Sequence, residues 1–284
     1  MDDYVINTDS NSIDQYIEHT VNDKGNKKFK FDEKNYLNTR LNENETQKDI
    51  KIRLLPLSET DGNIFLPINV HNLKVNRKVS NSGYKSFICL NDPNLPGHDS
   101  DGCPICNQSK KLFKEANETT DEQQKKLLLK AAYELQCKKV YIARVIERGK
   151  EDEGVKFWRF NDLKGIGIYD KLIKLYVKRK EEYRDAGIEN FSIFDLKNGK
   201  DIIITLKFVQ ETGKTQIDIM DAGVNTPLSK DINLANSWIC DSKKWYEMYR
   251  PKSSGYLNVI LDGGIPYYDE DSMKWINIDK KENE

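Results

Sequence analysis

The tightest constraint on this chain is a Cys103-Pro-Ile-Cys106 turn preceded by a lone cysteine, Cys89, and by two histidines, His71 and His98. Two thiolates two residues apart on a turn can grip one metal ion, each sulfur at about 2.3 Å. Cys89 adds a third thiolate, and one histidine completes a tetrahedral Cys3His set. His71 closes a strand-like run, Ile64–Val70, where the backbone can hold its ring. His98 sits in the polar loop Gly97–Gly102. The strand position favours His71 over His98. A redox CxxC needs a βαβ setting, whereas the flanks here read as antiparallel β. A nucleobase deaminase needs His-x-Glu before Pro-Cys-x-x-Cys. No histidine here has glutamate two residues on, and Pro104 lies inside the CxxC. Three thiolates and an imidazole leave no open coordination position, so the expected cofactor is one structural Zn2+.

Around this core the pattern alternates between sheet and helix. Ile50–Leu55 and Tyr84–Leu90 read as strands. Pro104 opens a helix to about Ala116, with Lys110, Lys111 and Lys114 along it. Thr120 and Gln123 form a capping box for a second helix, Asp121 to Gln136, whose apolar stripe is Leu128, Ala131, Ala132 and Leu135. Lys139–Glu147 and Val155–Asn161 read as a hairpin. Its second strand places Lys156, Trp158 and Phe160 on one face, with Phe157 and Arg159 on the other. Aromatic and basic side chains on one sheet face suit sequence-tolerant binding of single strands, because rings stack on any base and cations neutralise phosphates. The competing reading makes Tyr141 and Trp158 core.

The run IRLLP, a strand ending in histidine, a cysteine, and an H-D-x-D-x-CPxC segment resemble the core of T-even-type phage single-stranded DNA-binding (helix-destabilising) proteins. The resemblance spans roughly Lys27 to Ile219 and is specific around the metal. It implies a zinc-containing OB fold with ligands matching His71, Cys89, Cys103 and Cys106, the residue matching His98 lying near the ion without binding it. It implies DNA-facing aromatics near Tyr141 and Trp158 and an Arg-Phe pair at Arg159-Phe160. Two departures stand out: the family's basic N-terminal arm is acidic here, and its stacking aromatics near the last turn are replaced by Lys214 and Ile217. The candidate nucleic-acid face is Arg53, Tyr84, Lys110, Lys111, Lys138, Lys139, Tyr141, Lys156, Trp158, Arg159, Phe160 and Lys214.

Charge distribution bears on that expectation. Of 284 residues, 37% are hydrophobic and 32% charged, so a modest core carries a large polar surface. Net charge is −1, yet residues 27–220 hold 36 bases against 29 acids while both ends are acidic. This is the distribution of a nucleic-acid-binding core, in mild form. No apolar run is long enough to span a membrane and no signal pattern opens the chain, so a soluble protein of a reducing compartment is expected, the resemblance implying the cytoplasm of an infected bacterium. Cys137 and Cys240 are then expected as buried thiols.

Tyr169–Ala186 is an amphipathic helix stopped by Gly187, and Asp201–Gln210 and Thr215–Met220 are strands around a polar turn. Beyond Asp221 the resemblance ends. A helix over Asn236–Tyr249, a strand over Tyr256–Leu261 and a hairpin from Ile265 to Ile278 are expected. The expected fold is α+β, mainly β: an OB-like antiparallel barrel with a structural zinc subdomain and helical insertions. It divides into a flexible acidic segment, 1–26, a DNA-binding core, 27–220, an ordered extension, 221–278, and a frayed tail, 279–284. No phosphate-binding loop, dinucleotide fingerprint or nucleophile elbow is present, so no enzyme is expected. The expected role is coating single-stranded DNA in phage replication, recombination and repair, alongside replication and recombination proteins and with self-association along the strand. The alternative is a zinc-bearing structural or adaptor protein of a virus without DNA affinity.

Overall fold

The computed structural model describes residues 32–57, 62–97, 102–161 and 167–278. The acidic segment 1–26, residues 27–31, His98 and the tail 279–284 lie outside the described residues. In chain order the elements are β1 (Gln47–Leu55), β2 (Leu66–Lys74), β3 (Tyr84–Ile88), α1 (Pro104–Glu118), α2 (Glu122–Leu135), β4 (Lys138–Glu147) and β5 (Lys156–Asn161). There follow α3 (Ile168–Asp185), β6 (Lys200–Val209), β7 (Lys214–Asn225), α4 (Ile232–Ile239), α5 (Trp245–Tyr249), α6 (Ser254–Leu261), β8 (Pro266–Asp269) and β9 (Lys274–Asn277). The fold is mixed α+β with antiparallel strands in its ladders, and it divides into two compact units. One holds residues 68–139 and 249–278; the other holds 32–67 and 140–248. Among the described residues no helix is long and apolar enough to cross a membrane.

The second unit is built on a five-stranded antiparallel sheet in the order β5-β4-β1-β6-β7. Period-two alternation sends Ile50, Ile52 and Leu54 of β1 into the main core. Ile202, Ile204 and Leu206 of β6, and Tyr141, Ala143, Val145, Trp158 and Phe160 of the β4–β5 hairpin, meet them there. The register sets Tyr141 opposite Phe160 and Ala143 opposite Trp158, so these four share one face. α3 covers that core with Leu172, fully buried, and with Ile168, Leu175, Tyr176 and Tyr183 partly buried against it. Its end is a left-handed Gly187 (φ +83°), with the Ile188 N–H donating back to the Tyr183 carbonyl.

The opposite sheet face also carries apolar weight: Leu55, Ile146 and Val155 pack with Leu228, Ala235 and Trp238 around α4. Cover on both sides of β4 fits its continuous burial from Val140 to Glu147. The expected closed barrel is not found: among the described residues no ladder joins β5 to β7.

In the first unit, β2 and β3 form a hairpin, α1 and α2 pack antiparallel in sequence succession, and α6 sits with the β8–β9 hairpin. Several expected boundaries move. α2 is capped by Asp121, whose carboxylate accepts from the Gln123 and Gln124 N–H groups, so the Thr120–Gln123 box is not the cap. Tyr256–Leu261 is helix instead of strand. Ser253 caps it through the Tyr256 N–H, and Tyr256, Leu257, Val259 and Ile260 are buried at helical spacing. The expected helix over Asn236–Tyr249 is two helices, α4 and α5, broken at Cys240–Lys244. β7 continues through Asp221 to Asn225.

Candidate metal centre and nucleic-acid interface

Within the first unit, five side chains converge. His71 stands in the middle of β2, paired with Phe87 of β3 and fully buried, and not at a strand end as its sequence suggests. Cys89 follows β3 directly, its N–H donating to the Asn69 carbonyl at 2.9 Å. Cys103 is the residue before α1, extended in backbone, with its N–H bound to Asn91 Oδ1 at 2.7 Å. Pro104 then starts the helix and places Cys106 in its first turn. The fifth is Cys137, in the two-residue link between α2 and β4.

The ligand atoms of His71, Cys89, Cys106 and Cys137 all lie within 4.8 Å of one another. His71 Nε2 is 3.3 Å from Cys137 Sγ, 3.5 Å from Cys103 Sγ and 3.6 Å from Cys106 Sγ. Cys106 Sγ is 3.4 Å from Cys89 Sγ and 3.8 Å from Cys137 Sγ. A tetrahedral ion with bonds of about 2.3 Å to sulfur and about 2.0 Å to nitrogen sets edges of about 3.7 Å and 3.5 Å. These five spacings fit those edges within a few tenths of an ångström, so the cluster is compatible with a metal site.

His71 Nδ1 lies 2.7 Å from the Leu135 carbonyl. A carbonyl only accepts, so Nδ1 carries a hydrogen there, and Nε2 is the nitrogen that faces the thiols. The same bond satisfies a carbonyl that the last turn of α2 would leave orphaned. An imidazole fixed in this way by a backbone acceptor is the usual support of a metal-bound histidine.

The side chains of the cluster perturb one another's protonation. Hydrogen bonds to Cys103, Cys106 and Cys137, with burial adding to them, push the Cys89 thiol up. Contacts with Cys103, Cys137 and Cys89 pull the Cys106 thiol down. Burial opposes charge on His71, but its contacts with Cys103, Cys106 and Cys137 outweigh this and raise it to about 12. The sequence reading missed Cys137, which lies far from the CxxC and was expected as an inert thiol; Cys240, expected buried, is exposed. The separation of 31 positions between Cys106 and Cys137 hides the contact, and only the α1–α2 hairpin folds it back.

The nucleic-acid candidates separate sharply by burial. Trp158 and Phe160 are 1% and 4% exposed, and Tyr141 stacks on Tyr169 with centroids 3.9 Å apart. Lys156 is buried between Glu147 and Glu153, 2.5 Å from each. Arg53 is fully buried, with Nη1 3.3 Å from Asp201 and Nη2 donating to the Thr226 carbonyl. In this conformation these five cannot present a surface to a ligand, because each of them is buried. Tyr84, Lys110, Lys111, Lys138, Lys139, Arg159 and Lys214 are exposed. The first five belong to the first unit, Arg159 and Lys214 to the second.

Half-buried rings also gather where no strong local pattern marks them. Phe65, between β1 and β2, meets Phe160, Tyr169 and Phe194 edge-on at 5.7–6.1 Å, and Tyr176 stacks on Phe194 at 5.5 Å. The seven-residue spacing of Tyr169 and Tyr176 on α3 was the only pointer. No protein-family model matches the chain, and no curated protein matches it.

Proposed function

We propose that the protein binds single-stranded DNA through its five-stranded unit, with one structural zinc ion in the His71 centre. The observation that carries this is the aromatic cluster of Phe65, Tyr141, Phe160 and Tyr169 and its place in the strand order. Numbering β1, β4, β5, β6 and β7 as strands one to five, strand one pairs with two and four, two with three, and four with five. A helix, α3, lies between three and four. We read this connectivity as that of an OB fold opened at one seam. OB folds bind oligonucleotides on the face of strands two and three and at the loops joining one to two and four to five.

Tyr141 and Phe160 lie on those two strands, Phe65 in the first loop and Lys214 at the end of the second. Tyr141 and Phe160 serve as the floor; Phe65 and Tyr169, which are half-buried, are the rings that offer faces to bases. The zinc ion holds β2, β3 and α1 together and does no chemistry. The resemblance of the IRLLP and CPxC segments to phage helix-destabilising proteins supports a role in coating transient single strands during replication, recombination and repair. The other reading, a structural or adaptor protein without DNA affinity, draws on the burial of Tyr141, Trp158 and Phe160.

Fluorescence anisotropy with labelled oligo-dT separates them. Phe65→Ala and Tyr169→Ala should each weaken binding by roughly 5- to 150-fold, the equivalent of about 1–3 kcal/mol per stacked base. Absence of binding by the folded, zinc-loaded wild type would assign the chain to the second reading.

A further inference from the structure

The His71 centre offers one ligand more than a tetrahedral ion accepts. His71, Cys89, Cys106 and Cys137 form one set with ligand atoms within 4.8 Å of one another, and Cys103 stands outside that set as a fifth thiol beside His71. Cys103 lies 3.5 Å from His71 Nε2, and Cys137 lies 3.3 Å from the same nitrogen and 3.8 Å from Cys106 Sγ. Both spacings match tetrahedral edges of about 3.5 and 3.7 Å. We propose that Cys103 and Cys137 are interchangeable ligands, either of which closes the tetrahedron on His71, Cys89 and Cys106. This rests on the zinc reading above and says which thiolates hold the ion.

The two come from different parts of the unit. Cys103 ties the start of α1 to the ion. Cys137 ties the end of α2, already bound there through the Leu135 carbonyl on His71. Exchange between them lets the centre keep its metal when one thiolate is removed or blocked. Cys103 is fully buried and Cys137 is half-buried, so the spare thiol reachable from solvent is Cys137.

The test uses the full chain expressed with zinc, and reads metal per protein by mass spectrometry beside maleimide labelling. Wild type, Cys103→Ser and Cys137→Ser should each hold about one zinc, whereas the double variant and Cys106→Ser should hold none. Maleimide should label Cys137 in the zinc-loaded wild type and leave it protected in Cys103→Ser. Loss of zinc from either single variant overturns the inference, as does a double variant that keeps its metal, or equal labelling of Cys137 with and without Cys103. A Cys103→Ser chain that fails to fold also overturns it, because a competent Cys137 would supply the missing ligand. A wild type that folds without zinc would instead remove the metal reading itself.

Discussion

Asp201 shows how much a single residue can decide here. Its carboxylate, at the start of β6, accepts from Arg53 Nη1 at 3.3 Å and from Arg148 Nε and Nη2 at 3.1 and 2.9 Å. Arg53 is fully buried on β1, where desolvation lowers its pKa while the Asp201 charge holds it up. Removing one partner of a buried pair leaves the other charge uncompensated, at a cost of about 3–5 kcal/mol. Asp201→Asn should therefore destabilise the fold by that order in urea denaturation. Arg53→Met, which removes the buried charge and keeps the volume, should be milder, although it leaves the Thr226 carbonyl without that donor. If the two variants prove equally mild, Arg53 is not held by this pair. In the sequence Arg53 is a cation in a strand, which reads equally well as a phosphate contact or as a buried ion. Only the distant Asp201 decides between them, and no local pattern announces a partner 148 residues away. His71 was legible for the opposite reason: an imidazole near three cysteines has few other uses.

At the scale of elements, the β4–β5 hairpin was legible as a hairpin but not in the exposure of its faces. Alternation divides side chains between faces without saying which face is covered, and here α3 covers one and α4 the other. α6 was misread for a related reason: a six-residue apolar run, Tyr256–Leu261, fits strand or helix until the Ser253 cap arbitrates. The hairpin yields a sharp test in Trp158, which is 1% exposed and packs on Phe160 at 4.5 Å. Trp158→Ala should cost about 3–5 kcal/mol of stability. The affinity of its folded fraction for oligo-dT should stay at the wild-type value. Trp158 Nε1 finds no hydrogen-bond partner among the described residues, so Trp158→Phe loses no bond and should be the milder change. A stable Trp158→Ala protein with weakened binding would restore Trp158 to the DNA face.

Over the whole molecule, charge decides how binding should respond to solution conditions. The excess of bases sits in residues 27–220, between acidic ends. Its exposed members include Lys139 and Arg159. Burial removes Arg53 and Lys156 from the cations that can reach phosphate, since each is already paired with acids of its own. The electrostatic share of binding must then come from the exposed set alone, and it should be moderate. For a single strand, log K falls with log salt by about 0.7 for each phosphate neutralised. Lys139→Ala and Arg159→Ala should each flatten that slope by close to one contact, while Lys156→Ala should leave it unchanged and act on stability. Anisotropy titrations from low to physiological salt read the slopes directly. The Lys156 comparison matters most, because a buried cation and a phosphate-binding one are identical in composition and differ only here. A slope that shifts with Lys156 and not with Lys139 or Arg159 would mean that the hairpin opens to bind. A slope of zero in the wild type would remove phosphate contacts from the mechanism and leave stacking to hold the strand alone.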